Sequence, residues 1–122
     1  MVRAVEFLGT PASVRKARVF TGNVLADDRV EGSVIELAEL LVSELVTNAA
    51  VHAQGMVRLT VHADAPWVRI EVEDEGRDRP VLRPATQDHV DGRGLEIVDA
   101  LATDWGTERR ATQKVVWFEI AR

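Results

Sequence analysis

The stretch that decides the fold of this chain is Glu44-Leu45-Val46-Thr47-Asn48-Ala49-Ala50-Val51-His52, which lies inside a long helical pattern. At about 100° per residue, this pattern places apolar residues on one side of a helix and polar residues on the other. The predicted core-facing stripe is Val34, Leu37, Leu41, Leu45 and Ala49, and the predicted solvent-facing arc is Glu36, Glu39, Ser43 and Thr47. Glu44, Asn48 and His52 depart from this division, because their spacing of four residues continues the apolar line.

The line of Glu44, Asn48 and His52 predicts a polar ligand. Burial of such groups without partners costs about 1–3 kcal/mol or more each, and a cavity that holds a metal, a phosphate or ordered water removes that cost. A carboxamide oxygen is a suitable ligand for Mg²⁺, and a carboxylate one turn earlier can orient or deprotonate a nucleophile. The alternative interpretation is a helix whose exposed edge is wider than the pattern indicates.

Composition limits the class of protein. The chain has 122 residues, 46% of them hydrophobic, and 5% aromatic, so one domain over residues 1–122 is expected, packed mainly by Val, Leu, Ile and Ala. The formal net charge of −5 argues against a direct nucleic-acid binder. The absence of cysteine excludes disulfides and thiolate metal sites. No apolar run is long enough for a membrane span or a signal core, so a cytoplasmic protein without membrane contact is expected.

The remaining periodicities predict the order β-α-α-β-β-loop-α-β-β. Strands are expected at residues 3–8, 57–61, 68–72, from 104, and 115–120, and helices at residues 11–25, 32–53 and from 92. Between residues 75 and 91 the chain is rich in Gly, Pro, Asp and Arg, which predicts a long functional or mobile loop. This order predicts an α/β two-layer sandwich with a mixed, mostly antiparallel sheet packed on about three helices.

Two glycine-containing stretches are further candidate sites. Asp74-Glu75-Gly76 follows a predicted strand, where a carboxylate can accept a hydrogen bond from an exocyclic amine and Gly76 lets a ligand approach the backbone. Gly92-Arg93-Gly94-Leu95 opens a predicted helix, whose first amides attract phosphate. The alternatives are an ordinary strand-ending turn and a plain helix entry. The second stretch is neither a Walker A loop nor a full dinucleotide fingerprint.

Taken in order, these stretches resemble the GHKL (Bergerat-fold) ATPase superfamily of gyrase, Hsp90, histidine kinases and MutL. The chain is most similar to the small bacterial branch of anti-sigma-factor serine kinases and their histidine-kinase-like relatives. The matching segments are residues 44–49 with His52 for the N box, 72–76 for the first glycine box, 92–98 with 104–106 for the second box and the strand after it, and 116–120 for the closing strand.

The resemblance implies ATP with Mg²⁺ as ligands. By analogy, Asn48 would ligand Mg²⁺, with His52 in the same box, and Glu44 would be the general base or orient the nucleophile. Asp74 would bind the adenine amino group, with Gly76 beneath the base. The turn of Gly92, Arg93, Gly94 and Leu95 would offer backbone amides to the phosphates, and residues 75–91 would form the ATP lid.

Two departures from the family pattern stand out. The family often has a threonine near the adenine at the start of the last strand, where Val115 stands here, so a weaker adenine affinity is expected. The lid is also short, which predicts a looser enclosure of the phosphates.

The resemblance implies an ATP-dependent protein serine/threonine kinase that regulates transcription. Its partners would be a sigma factor, which it sequesters, and an anti-sigma-factor antagonist, which it phosphorylates; relatives of this kind often form homodimers. One alternative is an ATP-binding switch without kinase activity, and another is an interaction module that binds no nucleotide.

Overall fold

The computed structural model describes residues 1–52, 55–64, 66–75 and 91–122, with side chains for all of these except residues 52 and 91–94. In these ranges the elements follow the predicted order. They are β1 Val2–Leu8, α1 Ser13–Asp27, α2 Gly32–His52, β2 Met56–His62, β3 Trp67–Asp74, α3 Asp91–Leu101, β4 Asp104–Arg110 and β5 Gln113–Ala121.

The strands form one sheet with the order β1-β2-β3-β5-β4. Its four described pairings are all antiparallel, so the parallel component expected for a mixed sheet is absent from them. Helix α1 contacts β1 and β2, α2 contacts β3 and β5, and α3 contacts β4. The three helices therefore cross the sheet side by side on one face, which confirms the predicted α/β two-layer architecture.

The core lies between this helix layer and the inward face of the sheet. Alternation in the strands turns Leu59, Ile70 and Phe118 inward, and all three are fully buried. They meet Leu41 and Leu45 of α2, which are also buried, as the apolar stripe predicts. Aliphatic side chains dominate this core, in agreement with the low aromatic content of the sequence.

The predicted solvent-facing arc of α2 is largely wrong. Glu36 is exposed, but Glu39, Ser43 and Thr47 are half-buried, because α1 packs along this flank. A Cβ atom added to Gly22 of α1 would lie 2.7 Å from Oε2 of Glu39. The hydroxyls of Ser43 and Thr47 donate to the carbonyls of Glu39 and Ser43, at 2.8 and 2.6 Å, and therefore need no water.

Within the described ranges, no helix combines the length and the apolar character that crossing a bilayer requires.

Candidate functional site

The packing of α1 determines what Glu44 and Asn48 face. Glu44 lies five residues after Glu39, which is about 140° around the helix, so it occupies the other flank of α2. Helix α2 contacts α1 on the flank of Glu39 and α3 beyond the opposite flank. Glu44 and Asn48 are half-buried there, and neither side chain hydrogen-bonds to a residue of the described ranges. Their polar atoms can therefore bind a ligand between α2 and α3.

The direction of the chain brings the carboxyl end of β3 close to the carboxyl end of α2. Helix α2 ends at His52, shortly before β2 begins, and Val57 at the start of β2 pairs with Asp74 at the end of β3. The carboxyl end of α2 and Asp74 therefore lie at the same end of the strands. We call this end of the sheet, where β2 begins and β3 ends, the ligand edge. Asp74 is only 3% exposed, on the helix-covered face. The side chain of His52 lies outside the described residues.

The first turn of α3 points toward the ligand edge. After α3 ends at Leu101, the amide of Thr103 donates to the carbonyl of Glu119 at 2.8 Å, at the far end of β5. A helix of 11 residues spans about 16 Å, so α3 begins well away from that end. It starts at Asp91, one residue before the predicted glycine turn, so Gly92, Arg93 and Gly94 fall in its first turn.

The first turn of α3 can supply backbone amides. Amides in a first turn lack acceptors within the helix and carry partial positive charge, which suits phosphate. Leu95 is 2% exposed and part of the core, and as the fifth residue of α3 it follows the four amides that lack acceptors within the helix. Gly76 and nearly all of the predicted lid, residues 76–90, lie outside the described residues.

One residue at the ligand edge was missed by the sequence analysis. Lys114 lies directly opposite Asp74 in the β3–β5 pairing, on the helix-covered face, and is 6% exposed. The alternation of Val116, Phe118 and Ile120, counted back by two, is the signal that could have revealed it.

Val115 does not occupy the position expected for it. It lies opposite Glu73 and Glu108, on the sheet face without helices, and is fully buried there. A shift of one residue in a strand moves a side chain to the other face, so the position beside Asp74 belongs to Lys114. The weaker adenine affinity expected from Val115 therefore has no structural basis.

The donor set on α2 fits Mg²⁺ rather than a metal held wholly by protein. The described residues contain no group of three His, Cys, Asp or Glu side chains placed to hold a metal ion. Mg²⁺ keeps several waters and shares phosphate oxygens with its substrate, so a single protein ligand is sufficient. The amide oxygen of Asn48, with the carboxylate of Glu44 one turn away, meets this requirement.

The opposite face of the sheet carries an ion-pair network instead of a ligand site. Glu71 on β3 accepts hydrogen bonds from Arg110, at 3.1 Å, and from Arg69, also at 3.1 Å. Burial by itself raises the pKa of Glu71, but the two guanidinium groups outweigh it and hold the pKa below its usual value. Glu71 and Glu108 in turn raise the pKa of Arg110. These contacts join β3, which carries Asp74, to β4, across the strand β5 that carries Lys114.

Comparisons with known proteins bear on the family and the fold of the chain. A family model described as the histidine kinase-like ATPase domain matches residues 7–120. No curated protein matches the sequence significantly. Among solved structures, the chain is similar to the RsbU and RsbW domains of Rv1364c from Mycobacterium tuberculosis, with a TM-score of 0.75 and 17% identity over 99% of this chain.

Two histidine kinases are also similar in fold. The histidine kinase domain of the blue-light activated kinase EL346 from Erythrobacter litoralis gives a TM-score of 0.57 and 22% identity over 91% of this chain. The kinase AdeS from Acinetobacter baumannii gives 0.54 and 15% over 98% of this chain. The chain spans 32% of the mycobacterial chain, 60% of the Erythrobacter chain and 68% of the Acinetobacter chain.

Proposed function

Because the chain belongs to the histidine kinase-like ATPase family, we propose that it binds ATP with Mg²⁺ and transfers the γ-phosphoryl group to a serine or threonine of a partner protein. The observation that carries this proposal is the position of Glu44, one turn from Asn48, on the flank of α2 that faces α3. A protein that only held nucleotide would have no need of a carboxylate next to the metal ligand.

Four groups at the proposed site have proposed roles. Asn48 holds Mg²⁺, which when bound offsets the negative charge of the phosphate oxygens. Glu44 accepts the proton of the attacking hydroxyl. Asp74 accepts a hydrogen bond from the amino group of adenine, and the first-turn amides of α3 donate to the phosphates.

The proposed partners come from the resemblance to anti-sigma-factor serine kinases. We propose that the chain sequesters a sigma factor and phosphorylates an antagonist protein that competes for it. The fold similarity to a chain with an RsbW domain supports a regulator of this class. The same proposal places the protein in the cytoplasm.

The first experiment measures ATP binding by calorimetry in the presence of Mg²⁺. Asn48→Ala is expected to weaken ATP binding in Mg²⁺ far more than in EDTA, since it removes a metal ligand. Glu44→Gln is expected to leave binding within about twofold, because it keeps the shape of the side chain. Glu36→Gln alters an exposed glutamate of the same helix and is the matched control. It should change ATP affinity neither in Mg²⁺ nor in EDTA.

The second experiment measures phosphoryl transfer. Proteins that the chain captures from its source organism are incubated with γ-labelled ATP and either wild type or Glu44→Gln. Labelled serine or threonine that disappears with Glu44→Gln supports the kinase. If wild type binds ATP yet labels no captured protein, the kinase assignment is wrong, and ATP-dependent capture would then favour a switch without transfer.

A further inference from the structure

Lys114 is a buried cation inside an apolar stripe. The other β5 side chains that face the helices, Val116, Phe118 and Ile120, belong to the hydrophobic core. Lys114 continues their alternation and is only 6% exposed. A lysine is almost never buried to this degree without a partner, because removing an ammonium group from water is costly.

The ammonium group has no such partner in the described part of the chain. The side chain of Lys114 forms neither a hydrogen bond nor an ion pair with any described residue. Among the described residues, Thr21 Oγ1 is the one side-chain nitrogen or oxygen atom that is both inaccessible to solvent and without a hydrogen bond. The unbonded ammonium nitrogen of Lys114 therefore keeps some contact with solvent. An unsatisfied donor that still reaches solvent, at the edge where the ligand is proposed to bind, points to an acceptor on that ligand.

The position of Asp74 indicates which ligand atom accepts a hydrogen bond from Lys114. Side chains directly opposite each other in an antiparallel pair have Cβ atoms about 5 Å apart, so Asp74 and Lys114 project from neighbouring positions on one face of the sheet. A ligand that binds there can meet an acceptor from Asp74 and a donor from Lys114. The edge of adenine presents the complementary pair, in which the exocyclic amine donates and the neighbouring ring nitrogen N1 accepts.

We propose that Lys114 is a specificity-determining residue that donates a hydrogen bond to N1 of adenine while Asp74 accepts from the exocyclic amine. This inference rests on the proposed ATP site. Guanine is disfavoured by the same pair, because its carbonyl oxygen would meet the carboxylate and its N1–H would meet the ammonium. A site built to hydrogen-bond a ligand rejects an analogue that lacks the matching group.

The test compares ATP with 1-deaza-ATP, in which a C–H group replaces N1, by calorimetry on the full chain. Wild type is expected to bind 1-deaza-ATP about 10- to 100-fold more weakly than ATP, as for a hydrogen bond to a charged group. Lys114→Met, which keeps an unbranched side chain in the apolar stripe, is expected to bind the two nucleotides equally. Lys16→Met, which removes an exposed lysine on α1, is the matched control and keeps the wild-type ratio.

The outcomes separate this inference from the proposed function. If wild type binds ATP and 1-deaza-ATP equally, the role of Lys114 is refuted and the ATP site stands. If wild type binds neither nucleotide, both fail. Should Lys114→Met not fold, Lys114→Gln replaces it, because glutamine keeps a polar donor in a shorter side chain. Its ratio of ATP affinity to 1-deaza-ATP affinity should then lie between the wild-type ratio and 1. A wild-type ratio in Lys114→Gln or Lys114→Met would overturn the inference.

Discussion

Replacement of Gly106 by alanine should destabilise the protein through a single aromatic ring. Gly106 on β4 pairs directly with Trp117 on β5, and a Cβ atom at this glycine would lie 2.8 Å from Cζ2 and 3.0 Å from both Cε2 and Nε1 of the ring. The guanidinium carbon of Arg69 lies 4.2 Å from the ring centroid. The ring must therefore shift to admit a methyl group, and that shift disturbs its stacking with Arg69.

Two opposing effects set the size of the change. No described glycine has a positive φ, so alanine fits the backbone at Gly106 and stabilises by about 0.4–1 kcal/mol through the unfolded state. Overpacking costs about 1–3 kcal/mol, and disturbing the cation–π contact costs about 0.5–1 kcal/mol more. The packing loss is larger, so we expect a net destabilisation of about 1–2 kcal/mol.

Urea unfolding followed by far-UV circular dichroism measures this change, because the substitution itself would alter tryptophan fluorescence. Gly32→Ala is the control, since nothing lies within 4 Å of its added Cβ atom, and it should be neutral or slightly stabilising. The double variant Gly106→Ala/Trp117→Phe tests the cause, because the smaller ring lacks the indole nitrogen and the cost of the alanine should largely vanish. If Gly106→Ala is as stable as wild type, the packing argument is refuted.

Four further changes have defined expectations. Gly22→Ala should stabilise by up to about 1 kcal/mol in urea unfolding, since the atom it meets is the flexible end of a glutamate and alanine favours helix; a loss would contradict this. Ala111→Gly should stabilise by about 0.5–1 kcal/mol, because Ala111 has a φ of 54° in the β4–β5 turn. The pKa of Glu71 is below its usual value, so its stabilising ion pairs are fully formed above the ordinary pKa of a glutamate in the unfolded chain and are lost as the pH falls further. Urea unfolding at several pH values should therefore show the stability advantage of wild type over Glu71→Gln shrinking only below that ordinary pKa. Asp74→Asn should weaken ATP binding at least about tenfold by calorimetry, because an amide accepts the adenine amine less well than a carboxylate; unchanged affinity would remove Asp74 from the site.

Much of the fold could be predicted from local patterns. The period of α2 correctly identified Leu41, Leu45 and Ala49 as buried, and alternation identified the strands that carry Leu59 and Ile70. These patterns are readable because helices and strands repeat side-chain direction at about 3.6 and 2 residues. The order of elements and the two-layer architecture follow from the same repeats.

The candidate site was only partly predictable. Glu39 and Glu44 have the same charge in the same helix, and periodicity alone does not say which of them faces α1 and which faces α3. Lys114 and Val115 are neighbours in a strand, and only the pairing with Asp74 shows which of the two lies on the helix-covered face. The errors over Glu39 and Val115 concern the side of an element rather than its type.

By itself, the sequence determined the type and order of the elements, the residues of the core stripe and the motifs that resemble an ATPase, since each depends on side chains close together in the chain. Only the tertiary structure decided that α1 covers Glu39, that Glu44 is left to face α3, and that Lys114 lies beside Asp74. Contacts between residues dozens of positions apart depend on strand register and helix packing, which many weak interactions across the whole molecule set together.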